Sequence, residues 1–466
     1  MRIRFCGAAR TVTGSAHLIT LDSGFTILLD CGLYQGHDDD MEDFNRQWYF
    51  KPEDLDCVVL SHAHIDHTGR LPKLVKDGFR GPIYATHATR SLAAIMLLDS
   101  AKIQERDAEY ENKRAKKKNK KQIVKPLYDS EDVSATMKLF TGMPYDRWFR
   151  IHESVEVQYR DAGHILGSAS VTLKIREHGK ETLIGFSGDI GRPDRPILRD
   201  PQQMPDVDYL ICESTYGDRE HISKPEETDI LLNLIKETCI QNRGKIIIPA
   251  FSVGRTQEIV YILDQFENAG MLPKVPVYVD SPLAVNATQV YGSHPECYDN
   301  ELNEYMLIDD NPFGFNTLTY VRNVELSKEL NVSDEPSIII SSSGMMNAGR
   351  VRHHLYHNID NPRNTFLMVG YCSPDTPGGM LLAGVPEIKL YGEIKPVRAK
   401  IARMDSFSAH GDRNEMLDFI RNQNRLKKIF LVHGEYEPQL SFRSYLDTYF
   451  HVPIEIPTLG QEFIIS

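Results

Sequence analysis

Three histidines and an aspartate fall within six residues in the stretch Ser61-His62-Ala63-His64-Ile65-Asp66-His67. They directly follow Cys57-Val58-Val59-Leu60, an apolar run that reads as a buried strand. Beyond them, Thr68 is placed to cap a helix through Leu71, Leu74 and Val75. The spacing therefore predicts a strand-to-helix loop, where chemistry is mounted on a rigid scaffold. Imidazole suits zinc, and the added carboxylate suits a second metal or a bridge between two. Such a loop confines the fold to one that delivers further ligands to the same strand end.

The 466 residues allow two or three domains. Hydrophobic residues make up 41% and charged residues 25%, the balance of a water-soluble globular chain. The opening Met1-Arg2-Ile3-Arg4-Phe5 is too polar for a signal peptide, and no apolar run approaches a membrane span. Seven scattered cysteines without a Cys-x-x-Cys pair argue for reduced thiols, hence a cytoplasmic protein, and against a cysteine zinc site. A net charge of −12 argues against broad nucleic-acid binding while leaving room for a local cationic cleft.

Strands are expected around residues 2–5, 16–21 and 25–29, with Asp22-Ser23-Gly24 as a hairpin turn and Asp30 at a strand end. Residues 87–121 read as a helix finishing in a run of seven cations within 113–121. That run is either a solvated helix end or a phosphate-contacting arm. More strands are expected at 155–159, 169–175, 182–186 and 209–212, trailed by His164, Asp189 and Glu213. Past Glu213, helical stretches alternate with short apolar strands, the mark of parallel βαβ units, so 214–395 is taken as a separate α/β domain. Strand-end signals resume at Ser406-Phe407-Ser408-Ala409-His410-Gly411-Asp412 and at His433-Gly434-Glu435.

His62, His64, Asp66, His67, His164, Asp189 and His433 make seven N/O ligands. With one carboxylate shared they suffice for two adjacent metals. Such a pair clamps the attacking and leaving oxygens of a displacement and lowers the pKa of a bridging water toward neutrality.

These motifs resemble those of metallo-β-lactamase-fold hydrolases, and specifically the β-CASP nucleases. That family includes ribonuclease J-type enzymes and the endonuclease of pre-mRNA 3′-end cleavage. Asp30, His62-x-His64-x-Asp66-His67, His164 and Asp189 match the lactamase-fold motifs; Glu213, His410 and His433 match those peculiar to β-CASP. The resemblance implies an α/β fold, an αββα metallo-β-lactamase sandwich with an inserted α/β β-CASP domain. Residues 1–213 and 396–466 would form the sandwich and 214–395 the insert. It implies two Zn²⁺ per chain, with His62, His64 and His164 on one, Asp66, His67 and His433 on the other, and Asp189 bridging. Asp30 would orient ligands by hydrogen bonding. The catalytic set would be Asp66, Glu213 and His410, with His410 protonating the leaving oxygen and Glu213 positioning it. The implied reaction is hydrolysis of single-stranded RNA by a zinc-activated hydroxide. Two zinc ions less two aspartates and that hydroxide leave about one net positive charge to draw in a phosphodiester.

Within the insert, Ala250-Phe251-Ser252-Val253-Gly254-Arg255 and Ser341-Ser342-Ser343-Gly344 run from strand ends through small residues. Alone these are ordinary loops or phosphate cradles; the resemblance makes Ser252, Arg255, Ser342, Ser343 and Gly344 the candidate RNA contacts. Relatives carry Gly-Thr-Leu-Gly-Arg where this chain reads through Gly370-Tyr371-Cys372 to Gly379, so one arginine contact is missing. DNA hydrolysis and a non-catalytic scaffold role are the alternatives. The DNA-repair branch lacks the histidine found here as His433, and scaffold relatives have lost ligands that this chain keeps. Cleavage inside the RNA and from its 5′ end use the same residues. A short form of the family is expected, since ribonuclease J-type relatives extend further. A homodimer is implied by the resemblance alone.

Overall fold

The computed structural model describes residues 1–36, 43–117, 124–221, 227–370, 372–404 and 409–466. The chain divides into two compact units, Met1–Glu220 with Ala409–Ser466, and His221–Ser408.

Among the described residues the first unit holds two seven-stranded sheets. One runs Glu462–Ile464, Arg2–Phe5, His17–Thr20, Thr26–Leu29, Cys57–Val59, Ile83–Thr86, Phe140–Met143. The other runs Ile454–Glu455, Lys428–Val432, Tyr209–Glu213, Lys180–Phe186, Ala169–Glu177, Val155–Asp161, Trp148–His152. Alternate residues of both sheets point inward and meet: Ile3, Phe5, Ile19 and Val59 from one, and Val157, Tyr159, Val171, Leu173, Phe186 and Phe430 from the other, share one core. Tyr209–Glu213 and Lys428–Val432 read as unbroken apolar runs because both faces are covered. Their outward Leu210, Cys212, Ile429 and Leu431 pack with Met416, Ile420, Phe442 and Leu446 of helices Arg413–Ile420 and Tyr436–Leu446. Helix His87–Lys117 lies along Ile83–Thr86 and Phe140–Met143 on the other side. The αββα layering follows from these covered faces.

The second unit is built on a six-stranded sheet, paired in parallel throughout: Leu318–Tyr320, Val277–Val279, Ile338–Ser341, Ile246–Pro249, Thr365–Met368, Lys400–Arg403. Its last strand, Lys400–Arg403, pairs with Thr365–Met368, and the chain rejoins the first unit at Ala409. The N-terminal part of the first unit runs to Glu220.

The histidine loop departs from expectation. Thr68 does not cap the following helix. Its hydroxyl donates to the Ala63 and His64 carbonyls, closing the short helix Ile65–Thr68, and the next helix, Leu71–Lys76, starts behind Arg70. Asp66 and His67 therefore ride on a helical turn, while His62 and His64 precede it.

That turn is sewn to its neighbours by backbone bonds. Ser15 N–H donates to the Asp66 carbonyl at 2.8 Å and Gly32 N–H to the Ser15 carbonyl at 2.8 Å. A Cβ at Gly32 would sit 1.6 Å from the Asp66 carbonyl oxygen, so only glycine fits. Gly32→Ala is expected to cost about 2 kcal/mol or more and to lower bound zinc, read by thermal melting and metal analysis; unchanged melting and zinc content would contradict this.

Candidate metal centre

Five residues of the candidate site sit just past the end of a strand of the first unit. Asp30 follows Thr26–Leu29, His62 follows Cys57–Val59, His164 follows Val155–Asp161, Asp189 follows Lys180–Phe186, and His433 follows Lys428–Val432. Asp30 and His433 both take left-handed backbone, φ +57° and +50°, strain that non-glycine residues tolerate where the surroundings hold them in place.

The structure brings the seven residues into two adjoining groups, His62, His64, His164 with Asp189, and Asp66, His67 with His433. In the first, His62 Nε2 and His164 Nε2 lie 3.0 and 3.2 Å from His64 Nδ1, and both lie 3.4 Å from Asp189 Oδ2. In the second, His67 Nε2 is 3.1 Å from His433 Nε2 and 3.2 Å from Asp189 Oδ1, and Asp66 Oδ2 is 3.5 Å from His433 Nε2. Asp189 thus turns one oxygen to each group.

The outward nitrogens are held by the protein. His67 Nδ1 meets Asp30 Oδ2 at 2.6 Å and His164 Nδ1 meets the Ala409 carbonyl at 3.2 Å. The other two are held through hydroxyls. Ser61 Oγ donates to Asp30 Oδ2 at 2.8 Å and can accept from His62 Nδ1 at 3.0 Å. Thr215 Oγ1 donates to Glu213 Oε2 at 2.6 Å and can accept from His433 Nδ1 at 3.1 Å. Each such bond fixes the tautomer that leaves the opposite nitrogen free for a metal.

The residues fit zinc. Nitrogens held at about 2.0–2.1 Å by one tetrahedral ion sit about 3.3–3.5 Å apart, close to the separations found. Asp189 Oδ1 is buried without a hydrogen-bond partner, an acceptor that a cation would satisfy. Burial holds His62 down to about 3 and His64 to about 4, so both are neutral and can ligate at pH 7. Burial would likewise lower His67, but Asp189, Asp30 and Asp66 overcome it and raise it well above the usual histidine value. Asp189 is held well below the usual carboxylate range, because His433, His67 and His62 outweigh the cost of burying it.

Beside this cluster stands His410, its Nδ1 3.2 Å from Glu213 Oε1 and its Nε2 3.9 Å from Asp189 Oδ2. Glu213 is fully buried and also accepts the Ile190 N–H at 2.5 Å. Burial pulls His410 down, while Glu213 and Asp189 pull harder and raise it to about 9. Ser406, Phe407 and Ser408 of the His410 motif lie outside the described residues.

The candidate RNA contacts belong to the second unit. Ser252, Ser342 and Ser281 form a hydroxyl cluster, with Oγ separations of 2.7 Å (Ser252 to Ser342), 2.6 Å (Ser342 to Ser281) and 3.1 Å (Ser252 to Ser281). Ser343 Oγ turns instead to Asn347 Oδ1 at 2.8 Å, and Gly344 lies against Phe251. Arg255 opens helix Arg255–Asn268, buried, with Nη1 3.3 Å from Glu258 Oε2. The lysine-rich run ends helix His87–Lys117 on exposed Lys113, Arg114, Lys116 and Lys117, and residues 118–121 of it, like Tyr371 of the variant glycine segment, lie outside the described residues. Sequence reasoning missed Ser15, Ser61, Thr215 and Ser281. Ser61 and Thr215 adjoin His62 and Glu213 in sequence, a signal too common to notice without the geometry.

Among the described residues no helix is long and apolar enough to cross a membrane, and all seven cysteines are buried free thiols.

Residues 9–220 match the Metallo-beta-lactamase superfamily, 256–381 the Beta-Casp domain, and 394–457 the Zn-dependent metallo-hydrolase RNA specificity domain. The chain is 36% identical over 441 residues to Ribonuclease TTHA0252 of Thermus thermophilus, covering 95% of each. It is 31% identical over 463 residues to an RNase J-like protein of Methanocaldococcus jannaschii, covering 98% of each. To transcription termination factor FttA of that organism it is 32% identical over 455 residues, 95% of this chain and 68% of that one. A crystal structure of a protein of unknown function from Enterococcus faecalis V583 shares the fold, with a TM-score of 0.54 at 13% identity, covering 100% of this chain and 99% of that one. With a lactamase-fold match, a Beta-Casp match and a ribonuclease relative spanning nearly its whole length, the chain belongs to the β-CASP ribonuclease family of the metallo-β-lactamase superfamily.

Proposed function

We propose that this protein is a two-zinc ribonuclease that hydrolyses phosphodiester bonds of single-stranded RNA. The observation that carries the proposal is Asp189, one oxygen 3.4 Å from the His62 and His164 nitrogens and the other 3.2 Å from His67. His62, His64 and His164 would hold one zinc, Asp66, His67 and His433 the other, with Asp189 between. When bound, the pair supplies a water made nucleophilic near neutral pH and positive charge for the phosphoryl oxygens. Supporting RNA as substrate are the match of 394–457 to an RNA specificity domain and the ribonuclease names of two relatives. The insert would be 214–395, and the Beta-Casp match at 256–381 falls inside it.

The protein's own groups supply the rest. His410 is tethered by Nδ1 to Glu213 and keeps Nε2 toward the cluster, so Nε2–H is the proton offered to the departing sugar oxygen. Its pKa near 9 means that the proton is held below that pH and lost above it. Zinc held by this cluster would lower that value, since a nearby positive charge disfavours the protonated imidazole. Glu213 orients two imidazoles at once, His410 directly and His433 through Thr215.

Two results test this. His410→Ala is expected to lower kcat on single-stranded RNA by about 10²–10⁴-fold and to remove the alkaline fall of the pH–rate profile, with zinc content unchanged; near-normal turnover would overturn the assignment. Chelation is expected to abolish cleavage and zinc to restore it. Two 5′-labelled RNAs, one with a 5′ monophosphate and one with a blocked 5′ end, then assign the mode: mononucleotide release from the first and none from the second means exonuclease action, and internal fragments from both RNAs mean endonuclease action. No cleavage of either RNA by the zinc-loaded chain would refute the ribonuclease reading.

A further inference from the structure

The loop between the first two strands, residues 6–16, grips the segment that carries His433. His433 N–H donates to the Ala8 carbonyl at 2.8 Å and Gly434 N–H to the Thr11 carbonyl at 3.1 Å. Arg10 stands between those two anchors, with left-handed backbone at φ +64°, two residues after Ala8 at φ +46°. Its guanidinium carbon lies 4.4 Å from the centroid of the Tyr436 ring, three residues past His433. A strained, doubly anchored loop thus holds one arginine against one tyrosine of the segment that carries His433.

The chemistry of this pair is unspent. Arg10 makes one hydrogen bond, Nη2 to the Ile456 carbonyl at 3.3 Å, and has no carboxylate partner among the described residues. Its Nε is buried without a hydrogen-bond partner. A half-buried guanidinium is always charged and has five N–H groups to place, so this one lacks both a counter-anion and most of its acceptors. Tyr436 is 40% exposed, with ring surface left over beyond the part that Arg10 covers. A cation short of an anion beside an open aromatic surface is the combination that binds one nucleotide of a single strand, phosphate to arginine and base to ring.

Resting on the ribonuclease reading above, we propose that Arg10 and Tyr436 form a subsite for the nucleotide flanking the scissile phosphate: the guanidinium takes that neighbour's phosphate and the Tyr436 ring stacks its base. Stacking reads no base edge, so the subsite accepts all four bases and sets affinity and register rather than sequence preference.

The test is single-stranded RNA binding by fluorescence anisotropy at several salt concentrations, with a ten-nucleotide RNA and the zinc-loaded full chain in a His410→Ala background that slows cleavage. Arg10→Ala is expected to weaken binding about tenfold and to reduce the slope of log Kd against log salt by about 0.7, the loss of one phosphate contact on a single strand. Tyr436→Ala is expected to weaken it about five- to tenfold with the slope unchanged, and Tyr436→Phe to bind as the parent does. With His410 intact, zinc content and hydrolysis of bis(p-nitrophenyl) phosphate, a small diester with no flanking nucleotide, are expected to be unaltered in Arg10→Ala and Tyr436→Ala. Unchanged affinity and slope would overturn the subsite. So would loss of small-diester hydrolysis in step with RNA binding, which would make Arg10 a strut for the His433 loop. Failure of the ribonuclease reading is a separate result: the unsubstituted chain would cleave no RNA, while the binding arm would still report on Arg10 and Tyr436.

Discussion

Five imidazoles and two carboxylates cannot be packed together at one end of a sandwich unless something satisfies the atoms they turn toward one another. Asp189 is where that demand is sharpest. It is enclosed by His62 and His164 on one oxygen and by His67 on the other, and its Oδ1 finds no hydrogen-bond donor. Neutral His62 and His64 cannot supply compensating charge at pH 7. A cation in each group resolves both the facing lone pairs and the enclosed carboxylate. On this account the metals complete the fold at this end of the sandwich as well as serving the reaction.

Two further carboxylates, Asp30 and Glu213, hold the histidines in place. Each reaches one histidine directly and a second through a hydroxyl, Asp30 to His67 and by Ser61 to His62, Glu213 to His410 and by Thr215 to His433. Glu213 therefore links the geometry of the His433 group to that of His410. The C-terminal segment is as necessary as the N-terminal one. Lys428–Val432 is a central strand between Tyr209–Glu213 and Ile454–Glu455, and its end delivers His433 to a centre begun at Asp30.

The residues of the two groups were legible because histidine and aspartate clustered past apolar strand segments are chemically unusual. The αββα sandwich was legible through the family resemblance those motifs carry, and Val155, Val157 and Tyr159 all face its core. Other features depend on tertiary contacts that leave no local mark. Ser15, Ser61 and Thr215 are ordinary small polar residues until a carboxylate is folded against them. Thr68 looked like a helix cap, yet the backbone carbonyls of Ala63 and His64, about one helical turn earlier, claimed its hydroxyl. Lys400–Arg403 belongs to the second unit's sheet through its register against Thr365–Met368, a pairing no local signal marks. Arg255 lies buried beside Glu258 one helical turn away, a pairing set by helix geometry.

The central claim is that Asp189 stands between two zinc ions. Crystals of the zinc-loaded protein, measured on both sides of the zinc absorption edge, give the most direct check. The account predicts two anomalous peaks about 3.5–4 Å apart, one among His62, His64 and His164 and the other among Asp66, His67 and His433, with one Asp189 oxygen on each. A single peak, or two peaks of which neither touches Asp189, would contradict it.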